Sequence, residues 1–577
     1  MALKADSTLN RARLFWARLF IDKYNFRDSD GLYKEVLKTA PNHPTALLGR
    51  AVIDLESDHD HRKARKRALA IIKRYPGHVA AHNLIARMDL DQERPRDTIA
   101  RLKKHSLAIA PHNPDALILL AASYLVMDDD AAFRRVEAKA LKGNPKFARF
   151  YSAVSGHIAR VHRYIEAIKL NEKALKLDPK HWPAHANLGI GYSRIGDDAR
   201  AKKSLEIAHE GDGFNVRTYN LLEFFYDKVI KQFRWIEVAP MRLRVHKKEK
   251  AILARYVPPL VKEAYAFLKK KYAFTPKKPL HIEIFHDRQL FAIRSTGLPR
   301  LGAHGICFGH VITSRSPSEG NFNWAEVLWH ELSHVFHIQL SQSRVPRWFT
   351  EGLAIYEATD GRPEWKREMD ETLFAYQRTG RLRGIAHFNL AFTRARSMEN
   401  ILVAYYHAYL VADFIVERHG RKVMPAMLRA WGEKKSTAEV FTQVLGVPEL
   451  AAFDQDFEAW LRARLSRFHD TLHLSPKIAA KDLDARREAA RKEPESALAL
   501  ARVAEGHLGR GEHDKALTLD RQTFSAAVDR VSTISSERGR AVKLAVADSQ
   551  LVLTVNSPDS GTATEELAVG YDSDEIE

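Results

Sequence analysis

His330, Glu331 and His334 form an H-E-x-x-H motif within NWAEVLWHELSHVFHIQLSQSRVPRWFTEGLAIYE, residues 323–357. On a helix, residues four apart lie one turn apart on the same face, so both imidazoles can reach one metal ion while the carboxylate between them is offset toward a water at that metal. The motif alone is short enough to arise by chance. What gives it weight is Glu351, separated from His334 by sixteen intervening residues, in Pro346-Arg347-Trp348-Phe349-Thr350-Glu351-Gly352-Leu353. That gap suffices to finish one helix, turn, and bring a second helix back with its carboxylate on the open side of the metal. Two imidazoles, one carboxylate and a vacant fourth position make up the donor set of a catalytic zinc, so one Zn2+ per chain is expected. Such a zinc acidifies water and polarises a carbonyl, and Glu331 is placed to act as general base.

Two helices must position these groups. Asn323 followed three residues later by Glu326 resembles a capping box, and Trp324, Val327, Leu328, Leu332, Val335 and Phe336 supply an apolar face for the first helix. Pro346 opens the second, an amphipathic segment to Glu357. His337, one turn beyond His334, reads as a supporting or packing residue and not as a ligand.

HELSH followed by WFTEGLAIYE resembles the gluzincin metallopeptidases, and more closely the bacterial peptidase-MA-like domains fused to tetratricopeptide repeats, with their pattern W-H-E-x-x-H … P-x-W-x-x-E-G-L. The likeness extends over about residues 240–465. It implies a zinc metallopeptidase with His330, His334 and Glu351 as metal ligands and Glu331 as general base. Tyr405-Tyr406-His407-Ala408 is similar to the family's downstream Y-x-x-[SA] helix, which makes Tyr405 the implied oxyanion stabiliser, Tyr406 the runner-up and His407 a weaker candidate. The run Gly305–Thr313 reads as a single edge strand along the cleft. The resemblance implies that Gly305, Ile306, Cys307, Phe308 and Gly309 grip an extended peptide backbone there. One position departs from the thermolysin pattern. The Asp expected four residues after the glutamate ligand, to orient a histidine, is Ile355, and Glu357 or a backbone carbonyl is left to take that role. A metzincin reading fails, because its Gly and third His would fall at His337 and Leu340. No G-x-M-E-N segment suggests a grip on a free N-terminus.

The rest of the chain surrounds this centre. Pro41, Pro76, Pro111, Pro145 and Pro179 recur at spacings of 35, 35, 34 and 34. That period resembles tetratricopeptide repeats, pairs of antiparallel helices stacked into a solenoid whose concave face takes a peptide or protein partner. In the clearest copy Leu188, Gly189, Tyr192, Ala201, Leu205 and Ala208 occupy the packing positions. The expected layout is a mainly α chain: a solenoid over 1–225, an α+β zincin-like domain with a small mixed sheet over 226–475, repeat-like helices over 476–530, and a disordered acidic tail over 531–577.

Among 577 residues Cys307 is the single cysteine, which excludes internal disulfides and cysteine-based zinc sites. The net charge of +19 is spread over helical segments interleaved with acids, with no nucleic-acid motif, so it points to solvated faces or an acidic protein partner. No run of eighteen apolar residues occurs, and the N-terminal segment reads as an amphipathic helix, not a signal peptide. The expected location is therefore the cytoplasm, with export open should translation start upstream. The functional expectation is a zinc peptidase acting on peptide or protein substrates, with repeats that recruit a partner. The alternative is a repeat scaffold carrying an inactive peptidase-like domain.

Overall fold

The computed structural model describes residues 9–57, 60–395, 397–468, 487–488, 503, 543–547, 550–557 and 561–568, the last three segments as backbone. Two compact units are distinguished, 1–368 with 384–457, and 369–383 with 458–577.

The first unit begins with six helix pairs among the described residues, Asn10–Asp22 with Phe26–Thr39 through to Trp182–Arg194 with Asp198–Gly211. The period is set by chain-breaking residues. The five prolines sit in the turns between pairs, where a missing N–H costs no helical bond. Within pairs the chain reverses through a left-handed residue at Tyr24, Glu93, Asp128, His162 and Gly196. Leu188, Tyr192, Ala201, Leu205 and Ala208 are all buried. Gly189 is required to be small, since a Cβ there would lie 2.5 Å from Leu205 Cγ.

A five-stranded sheet follows, in the order β1-β2-β3-β5-β4, with β1 Phe233–Val238, β2 Met241–His246, β3 His281–Phe285, β4 Gly305–Cys307 and β5 Val311–Arg315. β2, β3 and β5 run parallel, and β1 and β4 are antiparallel edges. The expected single strand over 305–313 is in fact a hairpin. Gly309 turns the chain at φ +86°, where a Cβ would also lie 2.9 Å from Ile338. β4 thus forms the edge and β5 lies inside the sheet. β1 had no counterpart in the sequence reading, because its Phe-Arg-Trp-Ile-Glu-Val alternates only weakly.

The turns of the repeat array carry the contacts to this second half. The Asn389 amide donates to Glu93, Arg394 Nε to Gln92 at 2.8 Å, Arg344 to Asp128 at 2.7 and 2.9 Å, and Ser343 Oγ to the His162 carbonyl at 3.0 Å. At the other end, Arg294 bonds Ser193 Oγ at 2.6 Å and shares the fully buried Glu283 with Arg244.

In the second unit the described backbone of the segment expected as a disordered tail forms strands β6 Lys543–Ala547, β7 Gln550–Ser557 and β8 Gly561–Ala568, paired as an antiparallel sheet. The acidic composition of the final residues had outweighed the alternating apolar pattern of LAVADSQLVLTV. The helices expected over 476–530 lie outside the described residues, apart from 487–488 and 503.

Candidate functional site

The motif helix spans Trp324–Leu340, and its N-terminus is capped by Asn323 Oδ1 accepting from the Glu326 N–H at 3.1 Å. The reciprocal half of a capping box is not formed, because the Glu326 side chain turns to Arg367 at 2.6 Å. Leu328, Leu332, Val335 and Phe336 are buried as the apolar face requires. Two left-handed residues, Gln342 and Ser343, then reverse the chain into the second helix, Arg347–Gly361.

This return brings the three proposed ligands together. His330 Nε2 lies 3.0 Å from His334 Nε2 and 3.3 Å from Glu351 Oε2, and His334 Nε2 lies 3.4 Å from the same oxygen. One ligand atom from each residue falls within 4.8 Å of the others. Donors placed tetrahedrally around a zinc at about 2.0 Å are about 3.3 Å apart, so these separations suit a single ion. Burial opposes ionisation of Glu351, but its hydrogen bonds to the two imidazoles prevail and hold its carboxyl well below the usual range. For Glu331 burial prevails over the neighbouring histidines and pushes the carboxyl up.

Glu331 meets the edge strand. The main chain of Cys307 lies near its carboxylate, and a Cβ on Gly305 would lie 2.8 Å from Glu331 Oε1. β4 joins β5 through the backbone of residues 304 and 308, with Arg315 N bonded to His304 O and Phe308 N to Val311 O. By alternation Gly305 and Cys307 direct their main-chain groups away from β5. Of the five residues expected to grip a substrate, only these two face outward. Ile306 pairs with Thr313, Phe308 is buried against Tyr164 and Val311, and Gly309 makes the turn. The Cys307 thiol is buried, which pushes its pKa well up and keeps it protonated.

Tyr405 and Tyr406 lie on the helix Met398–His419 and part company there. Tyr405 has its ring 6.4 Å from His330 and lies beside the Glu351 carboxylate and the Arg347 guanidinium. The Glu351 charge, followed by burial, raises its pKa so that the phenol stays a donor. Tyr406 is buried, with its ring stacked on Tyr409 at 5.9 Å. His407 is wedged between Phe388 and Phe457, and desolvation lowers its pKa to about 3. It is a neutral packing residue, not an oxyanion donor.

Sequence reasoning missed Thr350. Its Oγ1 lies 2.8 Å from His334 Nδ1 and 3.1 Å from His337 Nδ1, so a threonine stands where an aspartate was sought. Glu357 does not bond His330, His334 or Glu351. It accepts from Tyr272 Oη at 2.8 Å and from Lys271 Nζ at 2.5 Å, and Tyr272 Oη lies 2.9 Å from His337 Nε2. Burial, with the charges of His334 and His330, holds the His337 pKa well down, and burial with Glu357 holds the Tyr272 pKa well up, so both are neutral. No helix among the described residues is long and apolar enough to cross a membrane.

Residues 511–577 match the family of the DNA polymerase III beta subunit, C-terminal domain. Over 66 residues the chain is 48% identical to the beta sliding clamps of Caulobacter vibrioides strains NA1000 / CB15N and ATCC 19089 / CIP 103742 / CB 15, covering 11% of this chain and 18% of each clamp. The chain thus spans under a fifth of the length of these curated relatives. Among solved structures, a MamA protein is similar at 20% identity and TM-score 0.20, over 30% of this chain and 92% of that one. YrrB, described as a TPR protein with an unusual peptide-binding site, is similar at 14% identity and TM-score 0.20, over 31% and 92%. The Naa15/Naa10 complex bound to HypK-THB matches at 13% identity and TM-score 0.22, over 90% of this chain and 70% of that one.

Proposed function

We propose that this chain is a peptide- or protein-binding repeat scaffold whose sheet-containing half carries a zinc-dependent centre for peptide-bond hydrolysis. The scaffold part is supported by a groove of about 580 Å³ along the first helices of the pairs, lined by Arg87, Arg160, Arg194 and Asn187 among others. Several of its arginines are already paired, as Arg160 is with Asp91 at 2.6 Å. Arg194 has no carboxylate partner among the described residues and lies 5.2 and 5.0 Å from the rings of Tyr164 and Phe308. An acidic segment is the occupant this charge favours. A fluorescent hexaglutamate peptide should bind in an anisotropy titration and hexalysine should not. Equal binding of both, or of neither, would remove the charge argument.

The hydrolytic part is carried by one observation, the convergence of His330, His334 and Glu351 with Glu331 beside them. Zinc, when bound, supplies Lewis acidity toward water and a scissile carbonyl. Glu331 is placed to take the proton of the attacking water and pass it to the leaving amine. Tyr405 is placed to donate to the oxyanion, and the outward main chain of β4 to hold an extended substrate. Elemental mass spectrometry should find about one zinc per wild-type chain, and none in His334→Ala or Glu351→Ala. Glu331→Gln should keep the metal and lose nearly all turnover. Zinc retained with no cleavage by wild type of any peptide in a diverse library would favour the second reading, a scaffold with an inert metal site.

A further inference from the structure

The bonds around Thr350 form one continuous line. It runs from His334 Nδ1 to Thr350 Oγ1 at 2.8 Å, to His337 Nδ1 at 3.1 Å, from His337 Nε2 to Tyr272 Oη at 2.9 Å, and on to Glu357 Oε1 at 2.8 Å. Lys271 closes the far end, with Nζ 2.5 Å from Glu357 Oε2 and 2.9 Å from Asp360. Ser333, His337 and Glu357 are buried around it, and Tyr272 is fully buried.

Each interior member of this line has one proton to give and one acceptor site to offer along it, so its direction is fixed by its ends. A carboxylate only accepts, and an ammonium only donates. With Lys271 donating to Glu357, Tyr272 must give its proton to Glu357. The Tyr272 oxygen then accepts from His337 Nε2–H, which leaves His337 Nδ1 bare. That nitrogen accepts from the Thr350 hydroxyl, whose oxygen in turn accepts from His334 Nδ1–H. His334 is left with an unprotonated Nε2, the atom that lies among the ligand atoms of His330 and Glu351.

We propose that Glu357, four hydrogen bonds away, and Lys271 behind it set the tautomer of His334 and so present its Nε2 lone pair to the metal. They are positioning residues, and this inference rests on the zinc reading of the site. The relay does what a single aspartate would do from the position held by Ile355.

The scheme makes an unusual demand of Glu357→Gln. Lys271 can only donate, so it selects the orientation with the amide oxygen toward itself and the NH2 toward Tyr272. Every proton in the line then reverses, and His334 receives a hydrogen bond at Nδ1 and carries its proton on Nε2, facing the metal. Thr350→Val, of nearly the same shape, cuts the line without reversing it, and Thr350→Ser restores it.

The test uses the full chain with 15N-labelled histidine. In metal-free protein, long-range 15N–1H correlation spectra, assigned through His334→Gln, should show His334 protonated on Nδ1 in wild type and Thr350→Ser, and on Nε2 in Glu357→Gln. Zinc affinity, read by competition with a chelator, should fall about ten- to hundred-fold in Glu357→Gln and Thr350→Val and stay within about threefold of wild type in Thr350→Ser. Wild-type His334 protonated on Nε2, or an unchanged tautomer in Glu357→Gln, would overturn the proposal. So would undiminished zinc affinity in both Glu357→Gln and Thr350→Val. A wild type that binds no zinc defeats the metal reading instead, and the tautomer measurement still decides the relay.

Discussion

Gly352 faces the backbone of Ala408 so closely that a Cβ on it would lie 2.2 Å from the Ala408 carbonyl oxygen. That approach joins the helix carrying Glu351 to the helix carrying Tyr405, and it explains why the residue after Glu351 has no side chain. Backbone cannot give way as a flexible side chain can. Gly352→Ala is expected to destabilise the fold by about 1–3 kcal/mol and to displace Tyr405 from Glu351. Chemical denaturation would measure the first effect. A denaturation midpoint equal to wild type would show that the helices can part at no cost.

Tyr405 and Tyr406 separate cleanly by their surroundings. If the site hydrolyses peptides as proposed, Tyr405→Phe should lower kcat about 10²–10³-fold with little change in KM, the signature of a contact made only as the oxyanion forms. Tyr406→Phe should leave kcat near wild type, since its ring packs against Tyr409. Equal losses in the two variants would place the hydroxyl effect in stability and not in catalysis.

The clustering of His330, His334 and Glu351 was legible in the sequence because a helix turns fixed spacings into a shared face, as it does for His330 and His334. Glu351 was legible because sixteen residues allow only a short return. The hydrogen-bond partners of these three residues were not. Thr350 is a small polar residue adjacent to Glu351, and nothing in its spacing distinguishes it from a solvated helix position. Glu357, expected beside a ligating histidine, instead meets Tyr272 and Lys271, which come from a helix 85 and 86 residues earlier and leave no trace in its local sequence. The β4–β5 turn was hidden for another reason. Both arms of GICFGHVIT alternate acceptably as one strand, and only the left-handed Gly309 reveals the reversal.

His407 gives the fold a dependence on acid. In the unfolded chain a histidine titrates near 6.5, whereas between Phe388 and Phe457 desolvation holds it to about 3. The unfolded state therefore binds the proton first, and the stability His407 confers is intact above about pH 6.5 and declines as pH falls toward 3, by up to about 1.4 kcal/mol per unit. Denaturation midpoints between pH 7 and 4 should fall less steeply in His407→Leu than in wild type. Parallel slopes would mean that His407 reaches water when it is charged.

Asp128 ties the repeat array to the turn between the two motif helices. Its carboxylate is 2.7 Å from Arg344, which precedes the second helix by three residues, and 2.9 Å from Arg163 of the next repeat turn, with all three side chains largely buried. Removing the carboxylate leaves two guanidiniums with Glu166 as their remaining acid, so Asp128→Ala should cost about 3 kcal/mol, the lower part of the range for breaking a buried pair. Because Arg344 follows directly on the left-handed Gln342 and Ser343, the loss also loosens the return that carries Glu351 back to His330 and His334. Zinc affinity should therefore weaken in Asp128→Ala although Asp128 touches no ligand, whereas Asp115→Ala, which removes an exposed pair with Arg149 in the neighbouring groove, should leave it unchanged. Equal affinities for wild type and Asp128→Ala would mean that the array and the site are built to fold separately.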